Sequence, residues 1–141
     1  MKNASFANKT KAKIEALPEV SETVRGQVNI DLAKNCLKAN LSPGSLAKIV
    51  GVTRASVHGW LNGKRISRPQ AMKILLVINY LKSELSLGNL PKTAKQDKQA
   101  IEEYLVEFVK GFVNADMPLS ERVSKLHLDN PAIERWLLGK D

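Results

Sequence analysis

The stretch SLAKIVGVTRASVHGWLNGKR, residues 45–65, decides the fold because it marks the boundaries of two short helices in a single run. Gly51 tolerates the left-handed backbone that commonly ends a helix. Thr53 is a residue type whose side chain caps the start of the next helix. The pattern predicts helices at 43–50 and 54–62, joined by a short turn. The outer boundary signals are Ser42 and Pro43 before the first helix, and Asn62 and Gly63 after the second.

The two helices of this stretch have an apolar and a polar face. Small Ala47 stands where the two helices would cross, and the inward-facing residues are Leu46, Val50, Val52, Val57 and Trp60. The outward face of the second helix carries Arg54, Ala55, Ser56, His58, Gly59 and Asn62. A glycine inside a helix costs about 1 kcal/mol of helix propensity. Two interpretations of Gly59 remain open: it permits close approach of another molecule, or it is merely tolerated.

The flanking segments also show helical spacing and no strand pattern, so we expect an all-α protein. Apolar residues predict a helix at about 21–39, and Ser67 with Pro69 predicts the start of another at about 68–85. The predicted organisation is a basic flexible arm at 1–20, a helical domain at 21–85, a linker at 86–96 and a second, smaller helical unit at 97–141.

The second unit resembles the first when the sequence is displaced by 76 residues, which indicates an internal repeat. Trp60, Leu61, Gly63 and Lys64 then match Trp136, Leu137, Gly139 and Lys140. We expect helices at about 94–115, 119–126 and 130–138, with Asp129 capping the last one. The second copy is degenerate, since Arg122 replaces Leu46 and His127 replaces Gly51. We expect it to pack on the first copy or to form a dimer; a second DNA reader is the alternative.

Positive charge is concentrated in the middle of the chain, whose net charge is +8. Residues 41–90 carry seven Lys or Arg residues against the single acidic residue Glu84, whereas residues 91–141 carry eight against nine acidic residues. A polyanion such as nucleic acid is therefore the expected partner of the middle segment. The lysines of the N-terminal arm have two interpretations, a flexible arm lying on DNA or a solvated tail.

Other function classes lack their usual signals. The single cysteine, Cys36, excludes an internal disulfide and fits the cytoplasm. No apolar run is long enough to cross a bilayer, and the N-terminus has no apolar signal core. The chain has no metal-ligand spacing, Gly-rich phosphate loop or nucleophile elbow. We therefore expect no enzyme, no cofactor or metal, no membrane partner and no small-molecule ligand.

Residues 45–65, followed by Arg68 and Pro69, resemble the helix-turn-helix of the lambda-repressor-like (Cro/repressor) family of bacterial and phage transcription regulators. The resemblance covers about residues 22–85 and implies a lambda-repressor-like helical bundle that binds double-stranded DNA. It assigns base reading in the major groove to Arg54, Ala55, Ser56, His58 and Gly59. It assigns backbone phosphate contacts to Ser45, Asn62, Lys64, Arg65 and Arg68. Pro43 departs from the family pattern because it lacks a donor, and Ser42 or Ser45 would have to replace that contact.

One short recognition helix reads only a few base pairs, so we expect a homodimer that binds two half-sites. The predicted function is a sequence-specific transcription regulator, with the sign of regulation left open. Two alternatives remain. The chain could be the DNA-binding module of a mobile-element or recombination protein, or an antitoxin or anti-regulator whose helix-turn-helix binds a protein.

Overall fold

The computed structural model describes residues 20–140, with side chains from residue 23 onward, and this part of the chain is all helical, as predicted. The predicted arm at 1–20 lies outside the described residues, apart from Val20, which begins the first helix. The helices are α1 (Val20–Ala39), α2 (Pro43–Val50), α3 (Arg54–Leu61), α4 (Arg68–Ser86), α5 (Lys95–Asn114), α6 (Leu119–Ser124) and α7 (Pro131–Leu137). Each boundary lies within two residues of its predicted position.

The predicted capping residues start α2, α3 and α4. In each case a hydroxyl oxygen accepts a hydrogen bond from the backbone N–H three residues later, which satisfies one of the donors left open by a helix start. The pairs are Ser42 and Ser45 at 3.1 Å, Thr53 and Ser56 at 3.1 Å, and Ser67 and Gln70 at 3.4 Å. Gly51 ends α2 in the left-handed conformation, with φ of +81°.

One apolar core extends through all the long helices. α1 and α4 pack along each other, and α3 lies against α1 and α2. Leu105 and Val109 of α5 and Trp136 of α7 belong to the same buried cluster as Trp60 of α3. Residues of both predicted helical units therefore belong to one core.

The C-terminal helices cover different sides of the first unit. α5 packs on α2 and α4, whereas α7 packs on α1 and α4. Lys48 of α2 forms an ion pair with Glu102 of α5 at 3.7 Å, and Ser45 lines a cavity with Lys98. The N-terminal parts of α2 and α5 therefore border the same cavity.

The repeat is visible in the hydrogen bonds that end α3 and α7. Gly63 and Gly139 both have positive φ, at +89° and +73°. Their N–H groups donate to the carbonyls of Trp60 and Trp136, each at 3.1 Å. His127 takes φ of +50° at the position that matches Gly51. The two copies therefore use the same turn and helix-end conformations.

The structure corrects the predicted cap of the last helix. Asn130, not Asp129, caps α7, because its side-chain oxygen accepts a hydrogen bond from the N–H of Ala132 at 2.9 Å. Pro131 then occupies the first helical position, where its missing N–H costs nothing.

Arg122 makes contacts that Leu46, the residue at the matching position of the first copy, does not make. Leu46 is fully buried in the core, whereas the Arg122 guanidinium donates to the carbonyls of Phe112 and Met117 at 2.7 and 3.2 Å, and also to that of Ala115. A cation at a helix C-terminus satisfies carbonyls that have no partner within the helix. The leucine-to-arginine change therefore fits the end of α5.

The predicted linker is packed against the domain. α4 extends to Ser86 and α5 begins at Lys95, but Leu90 between them is only 7% exposed and belongs to the core. The side-chain amide of Asn40, just after α1, donates to the Lys92 carbonyl at 3.3 Å. The segment is thus tied to the end of α1.

Truncating Trp136 is expected to destabilise the whole described unit in one transition. The side chain is 1% exposed and lies in the shared core, so Trp136→Ala should cost about 3–5 kcal/mol. Urea unfolding followed by circular dichroism and by Trp60 fluorescence measures the change. Leu87→Ala is the control, because Leu87 is 69% exposed. A separate early transition that leaves the Trp60 environment intact would contradict the shared core.

Cys36 is expected to resist alkylation until the chain unfolds. Burial raises the pKa of its thiol from 9.0 to about 12. Because the unfolded thiol ionises at lower pH than the folded one, this group lowers stability as pH rises from about 9 towards about 12. Urea unfolding at neutral and alkaline pH should show a smaller alkaline loss for Cys36→Ala. Rapid labelling of the native chain by iodoacetamide at neutral pH would contradict a buried, protonated thiol.

Candidate nucleic-acid interface

The first turn of α3 is held by a small hydroxyl network. The Thr53 side chain accepts from the Ser56 N–H, and the two hydroxyls are also 3.1 Å apart. Arg54 and Ala55 are exposed on this turn, while Ser56 is partly buried. Of the predicted base-reading residues, Arg54 and Ala55 are therefore presented outward, and Ser56 also serves the helix cap.

Arg54 lies across the start of α2. A Cβ placed on Gly44 would be 3.6 Å from Nε and 3.8 Å from Cζ of Arg54, so the guanidinium lies directly beside the Gly44 backbone. The Ser42 hydroxyl on the same turn donates to the Ser45 hydroxyl at 3.1 Å. Ser45, predicted to contact phosphate, and Arg54 thus lie at one helix start, although they come from different helices.

The C-terminal end of α3 is fixed by backbone and side-chain caps. The side-chain amide of Asn62 donates to the His58 carbonyl at 2.8 Å, and the Lys64 N–H donates to the Gly59 carbonyl at 2.8 Å. Asn62, predicted to contact phosphate, therefore also stabilises the helix end. His58 is partly exposed on the same last turn.

The Lys64 stem covers Gly59. A Cβ added at Gly59 would lie 3.0 Å from Cδ of Lys64 and 3.5 Å from its Cβ. Glycine thus provides the space in which the lysine side chain folds back over α3. This contact supplies a third interpretation of Gly59, beside close approach of another molecule and mere tolerance. It links one predicted base-reading position to one predicted phosphate-binding residue.

Arg65 and Arg68 lie with Arg25 around an open cavity of about 710 Å³ at the start of α4. Arg68 is engaged with α7, because its Nε donates to the Trp136 carbonyl at 2.7 Å and its guanidinium lies 5.9 Å from the centre of the indole ring. Arg25 lies 5.4 Å from the same ring. The structure therefore gives Arg68 a role in seating α7, a contact that the sequence did not predict.

Asn29 is a further residue that positions α3, and it was not predicted from the sequence. Its side chain is buried at 2% exposure. Its amide nitrogen donates to the carbonyls of Trp60 at 2.7 Å and Lys64 at 3.0 Å. The available signal was a polar residue between Val28 and Leu32 on the buried face of α1, because a buried amide requires partners.

The described residues do not indicate another kind of site. They contain no group of three or more His, Cys, Asp or Glu residues that could hold a metal ion. None of the helices in residues 20–140 is sufficiently long and apolar to pass through a bilayer. The exposed face of α3 carries no acidic side chain, and Arg54 stands at its start and Lys64 and Arg65 follow its end.

Replacing Asn29 is expected to loosen the end of α3. Asn29→Leu removes the side-chain donor from the carbonyls of Trp60 and Lys64. The Trp60 carbonyl keeps the Gly63 N–H as a partner. The loss of the donor should cost about 1–3 kcal/mol. Asn29→Asp places a carboxylate, which cannot donate, next to both carbonyls. This variant should be less destabilised at acidic pH than at neutral pH, because the protonated carboxyl can donate a hydrogen bond. Thermal unfolding at the two pH values measures both effects.

Asn35→Leu is the matched control, because Asn35 is also buried on α1 but donates to the Asp31 carbonyl of its own helix. Amide hydrogen exchange at Asn62, Gly63 and Lys64 should accelerate more in Asn29→Leu than in Asn35→Leu. Equal exchange in the two variants would show that Asn29 does not position α3.

Comparison of the chain with protein-family models, curated proteins and solved structures finds no match. The residues and geometry of the site itself are therefore the basis for its function.

Proposed function

We propose that the chain is a sequence-specific DNA-binding transcription regulator of the lambda-repressor-like class, with α3 entering the major groove. The observation that carries the proposal is the form of α3: a short helix, capped at both ends and exposed on one face, with Arg54 at its start and Lys64 and Arg65 beyond its end. An exposed helix bounded by cations suits a groove whose two edges are phosphate backbones.

Within this proposal, Arg54, Ala55 and His58 are the side chains presented to base edges. An arginine can bind guanine O6 and N7 with two hydrogen bonds, and alanine can contact a thymine methyl group. Ser56 contacts a base with the hydroxyl that also joins the Thr53 cap. The stem of the Lys64 side chain covers Gly59 and forms the surface that faces the DNA at that position. The Lys64 ammonium group extends from this stem towards a phosphate.

Backbone contacts come from both sides of α3. At the start of α2, Ser45 follows Gly44, beside which the Arg54 guanidinium lies. Asn62, Lys64 and Arg65 follow the end of α3. Arg68 is at most a shared contact, because its Nε is engaged by Trp136. The proposal includes a homodimer on two half-sites, because one such helix contacts too few base pairs for high specificity.

Selection of bound duplexes from a random DNA pool tests the proposal, and the symmetry of the selected site tests the dimer. Arg54→Ala should cost about 1–3 kcal/mol on the selected site and relax the preference at one base pair per half-site. An unchanged preference would show that Arg54 does not read a base.

Lys64→Gln separates phosphate binding from packing, because glutamine keeps most of the stem over Gly59 and removes the charge. Binding to selected and random duplexes should weaken alike, and the log–log salt slope should shrink by about 0.9. Lys140→Gln is the matched control, since Lys140 has the equivalent position after α7 and the equivalent backbone hydrogen bond. Weak binding with no salt dependence would instead favour a protein-binding module such as an antitoxin.

A further inference from the structure

The N-terminal ends of α2 and α5 lie side by side at one edge of the fold. A cavity of about 160 Å³ lies between them, with Ser42, Ser45, Lys92 and Lys98 around it and apolar side chains on its floor, among them Leu90. No acidic side chain lines this cavity. Asn40 also lines the cavity. We name Ser42, Ser45, Lys92 and Lys98 the α2–α5 edge.

The α2–α5 edge has the chemistry of an anion contact. Two hydroxyls lie 3.1 Å apart, and two exposed lysines line the same cavity. The Lys92 segment is held in place by the hydrogen bond from Asn40 to the Lys92 carbonyl. In addition, Ala94 at the start of α5 provides no side-chain cap, and the N-terminal parts of α2 and α5, where a helix is positive, both border the cavity.

The α2–α5 edge is continuous with the candidate interface. Arg54 lies against Gly44, on the same turn of α2 that carries Ser42 and Ser45. This turn of α2 therefore has Arg54 of α3 beside it and shares a cavity with Lys92 and Lys98. A DNA strand that passes Arg54 would run past the start of α2 towards these lysines.

We propose that the α2–α5 edge binds a phosphate of the DNA backbone next to the half-site read by α3, and that Lys92 and Lys98 supply the charge. This inference rests on the proposed function and assigns DNA contact to a segment whose overall charge is slightly negative. One acidic residue, Asp97, lies in the first turn of α5, but it does not line the cavity. Further along α5, Glu102 is paired with Lys48, and Glu107 lies beside Lys110. The C-terminal unit would thus complete the contact that Pro43 cannot make.

A backbone phosphate fits the edge better than a free anion. Both lysines are exposed at the rim while the floor is apolar, so the edge does not enclose an ion. When the DNA is already bound at α3, its neighbouring phosphate is kept close to the α2–α5 edge. A contact at the rim is then sufficient to bind that phosphate.

The experiment compares the double variant Lys92→Ala/Lys98→Ala with the unmodified chain in binding to the selected duplex and to a random duplex, over a range of salt concentrations. The matched control is Lys82→Ala/Lys110→Ala, which removes the same charge from exposed positions away from the edge. We expect the log–log salt slope to shrink by about 1.8 for two lost contacts, with both affinities lowered and the selected sequence unchanged. Phosphate ethylation interference should lose a flanking position in the double variant only.

The outcomes separate this inference from the proposed function. If the unmodified chain shows no salt-dependent binding to any duplex, both are wrong. If it binds a selected site, but the Lys92/Lys98 variant matches the control in slope and ethylation pattern, only the α2–α5 edge is wrong. Circular dichroism melting checks that all variants remain folded. Because Lys92 and Lys98 are both exposed, their truncation removes no core contact.

Discussion

The buried amide of Asn29 is the contact on which the geometry of the candidate interface depends. α3 has only two turns, and an isolated helix of that length does not persist in water, so its direction must come from tertiary contacts. Packing of Val57, Trp60 and Leu61 holds one face of α3, but apolar contacts alone permit sliding. The two hydrogen bonds from Asn29 to the carbonyls of Trp60 and Lys64 fix where α3 ends and where the next segment begins.

Local chemistry was sufficient to predict the helices. Hydroxyl caps, prolines in the first turn and glycines at positive φ act over three or four residues, so they can be recognised in the sequence without knowledge of the fold. Ser42, Thr53 and Ser67 cap the helices that they were predicted to cap, and Gly51 and Gly63 adopt positive φ. The one wrong cap, Asp129, stood next to an equally suitable Asn130, and local preference does not separate the two.

Contacts between distant residues could not be predicted in the same way. Arg68 and Trp136 are far apart in sequence, and no periodicity indicates that an arginine at the start of α4 bonds the end of α7. The same holds for the packing of α5 on α2, since amphipathic spacing shows which face of α5 is buried but not against which helix. Of the candidate site, the sequence identified the outward residues of α3, while Asn29, the Lys64 stem over Gly59 and the Arg54 position beside Gly44 came only from the structure.

The two copies of the repeat serve as an internal comparison between folding and function. Both retain tryptophan, leucine, glycine and lysine at the end of the last helix, and both form the same backbone hydrogen bonds there, although the outward residues 54–59 and 130–135 have little in common. A motif that is kept in both copies while the surrounding surface diverges encodes a way of ending a helix. In a search for related chains, this four-residue signature would therefore identify a shared architecture, and only the residues that precede it would discriminate between binding specificities.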